Sequence, residues 1–229
     1  MNPKLIFDIE TVGVEFNSLD EKSKEFLLAN TDNEEEKKQI KEELGFSPLT
    51  GRVVAIGILN PDTDKGAVYY LSPEENPPVG GEKEKKDDVL YIPCVNEKDL
   101  LKNFWSAAAH YDQFITFAGH GFDCPYLMVR SAVNNVKPSR SLFQNRYNSI
   151  LHLDLLDRLT NFGAMRGKRS LHLWCQAFGI ESSKDKGVTG DDVARLFKEK
   201  KYLDIAKYCY DDIRATKELF QYWEKYMSK

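Results

Sequence analysis

Apolar and polar residues alternate from Lys4 to Glu10, with Leu5, Phe7 and Ile9 on one side and Ile6, Asp8 and Glu10 on the other. The early part is apolar on both sides, which predicts a strand covered on both faces. Gly51 opens a second apolar run, Arg52 to Leu59. Asn60-Pro61-Asp62 turns the chain, and Ala67 to Leu71 returns as a third strand. Val89 to Ile92 reads as a short strand or an extended connection. Phe114 to Ala118 and Ile150 to Leu153 give further strands. Helices are predicted from an Asn96 cap to about His110, from near Cys124-Pro125, from Ser170 to Gly179, from Thr189 or Gly190, and from about Tyr202 towards Tyr226. Three strands followed by alternating helices and strands predict an α/β sheet with some antiparallel pairing. Residues 15–45, charged and centred on Glu34-Glu35-Glu36-Lys37-Lys38, read as a surface helical insertion. Residues 72–88, with three prolines and two glycines before a charged run, read as a surface loop.

The length of 229 residues fits one domain with insertions, and 41% hydrophobic residues can fill a core. The longest clean apolar run, Val53 to Leu59, is far short of a bilayer span, and the N-terminus lacks a signal-peptide stretch. The four cysteines are widely spaced, which argues against a zinc knuckle or a redox pair and for reduced thiols in the cytoplasm. The net charge of −4 alone weighs against a nucleic-acid partner, since such domains are often basic. Its distribution weighs the other way. Residues 129–229 hold 19 Lys/Arg against 12 Asp/Glu.

Acidic residues mark the candidate chemistry. Asp8 and Glu10 are two apart on a strand, so their carboxylates share a face at its C-terminal end. Asp123 follows a glycine-flanked turn after a strand. Asp212 lies on the last predicted helix, with Tyr208 one turn before it. Singly, each has an ordinary use as a turn residue, a cap or a surface contact. Asp8 and Glu10, however, sit among Phe7, Ile9 and Val12, where paired carboxylates repel unless a cation lies between them. Hard divalent ions such as Mg²⁺ or Mn²⁺ favour such oxygen ligands.

These stretches resemble the motifs of DEDD-type 3′–5′ exonucleases. Phe7-Asp8-Ile9-Glu10-Thr11 is similar to the first motif, Thr116 through Leu127 to the second, and Tyr208-Cys209-Tyr210-Asp211-Asp212 to the third. The tyrosine four before the final aspartate indicates the DEDDy subclass. The histidine subclass would place its base at Lys207. The overall resemblance is to stand-alone relatives of the proofreading domain of family B DNA polymerases, and it spans residues 4 to about 222. It implies an α/β, ribonuclease H-like fold: a central mixed β-sheet with helices on both faces. It also implies two divalent cations, Mg²⁺ or Mn²⁺, held by Asp8, Glu10, Asp123 and Asp212, with Tyr208 orienting the attacking water. The implied product is a nucleoside 5′-monophosphate from a nucleic-acid 3′ end. Single-stranded DNA is the first expectation and RNA stays open. One departure is Ala118, where relatives usually carry an asparagine thought to help hold the substrate strand.

Candidate substrate contacts are Thr11, His120 and the basic run Arg166, Lys168 and Arg169 beside a predicted helix N-terminus. A haloacid dehalogenase-type phosphatase is the rival enzyme, from Asp8-Ile9-Glu10-Thr11-Val12 and Gly190-Asp191-Asp192. Its second motif position is an aspartate, however, and its late motif follows an apolar strand. A catalytically idle nucleic-acid-binding module is the other alternative.

Overall fold

The computed structural model describes residues 3–73, 82–84, 89–167, 170–187 and 189–228. The first strand, β1 (Lys4–Gly13), runs through the sheet. Two short helices follow, α1 (Glu21–Leu28) and α2 (Glu34–Glu42), and then β2 (Gly51–Leu59), β3 (Gly66–Leu71), β4 (Glu82–Glu84) and β5 (Val89–Cys94). Next come α3 (Glu97–Ala108), β6 (Gln113–Thr116), α4 (Asp123–Val133), β7 (His152–Asp154) and α5 (Leu155–Leu159). The chain ends with α6 (Leu171–Phe178), α7 (Val193–Lys198) and the long α8 (Tyr202–Tyr226).

The strands form one seven-stranded sheet in the order β4-β5-β3-β2-β1-β6-β7. β1–β2, β2–β3 and β4–β5 pair antiparallel, whereas β3–β5, β1–β6 and β6–β7 pair parallel. The sheet is therefore mixed, as expected. The stretch 72–88 differs from a plain surface loop: residues 82–84 add β4 to the edge of β5, and most of the remainder lies outside the described residues. Residues 15–45 form α1 and α2, with no buried residue in either helix, so this stretch is largely solvated as its charge dictates.

Leu5, Ile6 and Phe7 are all buried, because β1 is covered on both faces. Phe7 meets Phe104 of α3 at 5.5 Å between ring centroids. On the opposite face α8 crosses β1, β2 and β3. Gly57 of β2 makes that crossing close: a Cβ there would lie 3.1 Å from Cys209 Sγ and 3.2 Å from Ile213 Cδ1. The missing side chain lets α8 settle onto the sheet, which carries Tyr208 and Asp212 towards β1. Glu97 ties the other layer together. Its carboxylate accepts from Val53 N–H at 2.8 Å and from Arg130 Nε and Nη2 at 2.9 and 2.6 Å.

Candidate active site

The site lies where β6 stops short. β6 pairs with β1 only over Lys4, Leu5 and Ile6 and ends at Thr116, while β1 continues to Gly13. The edge of β1 is thus opened at its C-terminal half, the place where α/β sheets put their ligands. Asp123, at the start of α4, fills the gap: its Oδ1 accepts from Ile9 N–H at 3.1 Å. A register shift between Glu10 and Thr11 then bends the strand out of its ladder.

Asp8, Glu10 and Cys209 place one potential ligand atom each within 4.8 Å of one another. Asp123 and Asp212 stand outside that tight group but act on it electrostatically. Burial, then the charges of Asp123, Glu10 and Asp212, push the Asp8 carboxyl well above its ordinary range. Burial, Asp212 and Asp123 do the same to Glu10. Asp123 is pushed up to about 7, by burial first, against hydrogen bonds from its own and the Ile9 amide. Asp212 rises to about 6 through burial, opposed by hydrogen bonds from Ser183 and Tyr208 and by the charge of Lys184. No cation figures among the main influences on Asp8, Glu10 or Asp123. An anionic, oxygen-rich and uncompensated cleft fits a hard divalent ion. Cys209 does not extend the ligand set: burial raises its thiol well above its usual value, and Sγ donates to the Asp8 carbonyl at 3.7 Å.

Tyr208 donates to Asp212, the partner that a spacing of four dictates. Burial and the surrounding carboxylates hold its phenol far above its ordinary value, so it stays protonated and serves as a donor. Ser183 went unnoticed in the sequence. It is buried on the short turn Ser183–Lys186, which packs against α8. The Ser182–Asp185 capping pattern was the available signal for that turn.

Of the expected substrate contacts, the side chains of Thr11 and His120 have internal partners. Thr11 Oγ1 donates to Gly45 O at 2.8 Å, and Tyr126 Oη donates to the same carbonyl at 2.9 Å. The Thr11 hydroxyl therefore anchors the end of the 15–45 insertion. His120 turns inward. Its Nδ1 meets Asp157 Oδ2 at 2.8 Å and its ring lies 4.2 Å from that of His152. Asp154 holds the turn after β6, accepting from Ala118 N–H at 3.0 Å and His120 N–H at 2.9 Å. Arg146 takes both oxygens of Asp157. The grouping of His120, Asp154 and Asp157 is thus filled by internal donors rather than arranged around an ion. Arg166 is exposed, and Lys168 and Arg169 lie outside the described residues. The acidic stretch Gly190–Asp192 forms a single turn, where Asp192 accepts from Thr189 and Arg195, not a motif at a strand end.

Residues 50–228 match a family described as predicted 3′–5′ exonucleases related to the exonuclease domain of PolB. The chain belongs to this family. The matched residues include Asp123, Tyr208 and Asp212, whereas Asp8 and Glu10 precede them. A DNA polymerase 1 from Sulfurisphaera ohwakuensis is 24% identical over 125 residues, covering 48% of this chain and 14% of the polymerase. The chain thus corresponds to a small part of that relative's length. Among the described residues, no helix is long and apolar enough to cross a membrane.

Ala118, where the resemblance leads to the expectation of an asparagine, has φ +64°, a left-handed backbone that asparagine tolerates better than alanine. Ala118→Asn is expected to raise stability by about 0.5–1 kcal/mol, read by urea unfolding, and to lower KM for an oligonucleotide. A loss of stability would show that the turn has no room for the amide.

Proposed function

We propose that this chain is a metal-dependent 3′–5′ exonuclease of the DEDDy type that releases nucleoside 5′-monophosphates, with single-stranded DNA as its first substrate and RNA as a second to be tested. The observation that carries the reading is the crowding of the buried carboxyls of Asp8, Glu10 and Asp123, with no cation among their main influences, together with Asp212 beside Tyr208. Asp8 and Glu10 would hold one divalent ion with Asp212, and Asp8 and Asp123 a second. Two such ions, Mg²⁺ or Mn²⁺, supply a polarised scissile phosphate and an acidified water. The chain's own part is positional. Ile9 N–H fixes Asp123, and Ser183 and Tyr208 fix Asp212. The phenol of Tyr208 orients the attacking water; a phenol held protonated is no general base at neutral pH. The whole chain would act as one catalytic domain, with protein partners unspecified and the cytoplasm as its expected compartment.

The test uses 5′-labelled single-stranded DNA and RNA with Mg²⁺ or Mn²⁺. A ladder shortening from the 3′ end, abolished by chelator, is expected. Internal cuts, or activity on p-nitrophenyl phosphate alone, would sink the reading. Binding without release of nucleotides would favour the idle module. Tyr208→Phe is expected to slow the ladder by about 10²-fold, whereas Lys207→Ala should run near the wild-type rate. A disabling Lys207 change would mean that the tyrosine register is wrong.

A further inference from the structure

We propose that Tyr147, Phe162 and Arg158 form a stacking subsite for an unpaired nucleobase of the substrate strand, away from the carboxylates; this rests on the nuclease reading above. β1, β6 and β7 run parallel, so their C-terminal ends share one edge of the sheet. α5 starts directly after β7 at that edge and packs against α8, the helix that carries Tyr208 and Asp212. The turn after α5 is thus separated by one five-residue helix from the sheet edge that carries the proposed cleft.

That turn is built at a cost. Asn161, Phe162 and Gly163 have φ of +48°, +54° and +87°, three successive left-handed residues. For a phenylalanine this conformation is unfavourable by about 1–2 kcal/mol. Hydrogen bonds hold it there: Phe162 N–H to Asp157 O at 2.6 Å, Gly163 N–H to Thr160 Oγ1 at 3.1 Å, and Met165 N–H to Thr160 O at 3.1 Å. The outcome is an aromatic ring held at the surface rather than folded into the core. Tyr147 lies against it at 4.8 Å between centroids and is itself 69% exposed. Arg158 places its guanidinium 5.2 Å from the Phe162 centroid. Arg146 clamps the neighbouring backbone to α5 through Asp157.

Charge complementarity selects the occupant. Between residues 130 and 167 the only acids are Asp154 and Asp157, and both are engaged by internal donors. Arg130, Arg140 and Arg146 are also consumed, by Glu97, Asp112 and Asp157. Arg158 pairs with no carboxylate among the described residues, and Arg166 is exposed nearby in sequence. An exposed tyrosine ring on a half-buried phenylalanine, beside uncommitted guanidinium groups, suits a polyanion whose bases offer π-faces, whatever their sequence.

The test compares an oligothymidylate of about 3 nucleotides with one of about 16, since only the longer can reach beyond the cleft. Tyr147→Ala is expected to raise KM about tenfold on the longer substrate, leave its kcat unchanged, and leave the shorter substrate unaffected. Tyr147→Phe should restore the wild-type KM, because stacking needs the ring and not the hydroxyl. An unchanged KM, or an equal change on both lengths, overturns the proposal. Anisotropy of the longer, fluorescein-labelled oligonucleotide in Ca²⁺ gives a second readout. If the wild-type chain degrades neither length, the nuclease reading fails. The subsite is then still decided by anisotropy: weaker binding by Tyr147→Ala upholds it, and equal binding overturns it.

Discussion

Asp8→Asn is expected to abolish phosphodiester hydrolysis and, in the same molecule, to raise the melting temperature of the metal-free protein. The loss should be at least about 10³-fold, because the substitution removes the ligand shared by both proposed ion positions. The gain follows from the electrostatics. Asp8 is raised by burial and by three like-charged neighbours, Asp123, Glu10 and Asp212. An amide of nearly the same shape removes one charge and offers two donors to those neighbours. A gain of about 1–3 kcal/mol at neutral pH is expected. Function held at the expense of stability is the usual mark of a site shaped for a ligand. Thermal unfolding in chelator, set beside the 5′-label ladder assay, reads both effects. A variant that loses activity and also melts lower would mean that Asp8 is a structural residue, and the proposed centre would lose its main support.

Much of this site was legible because its signals are local. Alternation along β1 marks both carboxylates on one face, and a helical spacing of four joins Tyr208 to Asp212. Both relations survive in the structure without help from distant residues. What could not be read depends on contacts far apart in sequence. Gly45 is 34 residues from Thr11 and 81 from Tyr126, yet its carbonyl takes both hydroxyls. No periodicity encodes that. His120 beside the second motif resembled a substrate contact, but Asp157, 37 residues on, draws it inward. The basic excess of residues 129–229 weighs towards a nucleic-acid partner by count. Three of its arginines are instead matched to acids supplied by α3, the turn before β6, and α5. β4 escaped for another reason: a three-residue strand of Glu-Lys-Glu has neither apolar alternation nor β-branched residues, and only its pairing with β5 makes it a strand.

The metal-free protein should lose stability as pH rises from about 5 to 7.5, and Mg²⁺ or Mn²⁺ should restore it at the upper end. The unfolded chain releases its carboxyl protons near pH 4. Folding raises Asp123 to about 7 and Asp212 to about 6, and raises Asp8 and Glu10 as well. Between these values the folded state binds more protons than the unfolded state. These groups make the slope of stability against pH negative, and the favourable contribution of Asp123 and Asp212 present below pH 4 is gone once pH passes about 7. Carboxyls with lowered values, such as Asp157 and Asp192 (about 2), act with the opposite sign. Their contribution is lost only as pH falls below about 4, outside the chosen window. His152, which burial holds down to about 3, also has the opposite sign and acts inside the window, so it offsets part of the fall that the four raised carboxyls produce. A divalent ion binds the deprotonated carboxylates, so its effect should be small near pH 5 and reach roughly 5–10 °C in melting temperature near pH 7.5. Asp123→Asn should flatten both the pH slope and the metal response, because it removes a group that titrates inside the window. A melting temperature that is flat or rising over that range in chelator would contradict the crowded, uncompensated carboxylates. A response to the metal that is equal at both pH values would place the ion on groups already ionised at pH 5, away from this cleft.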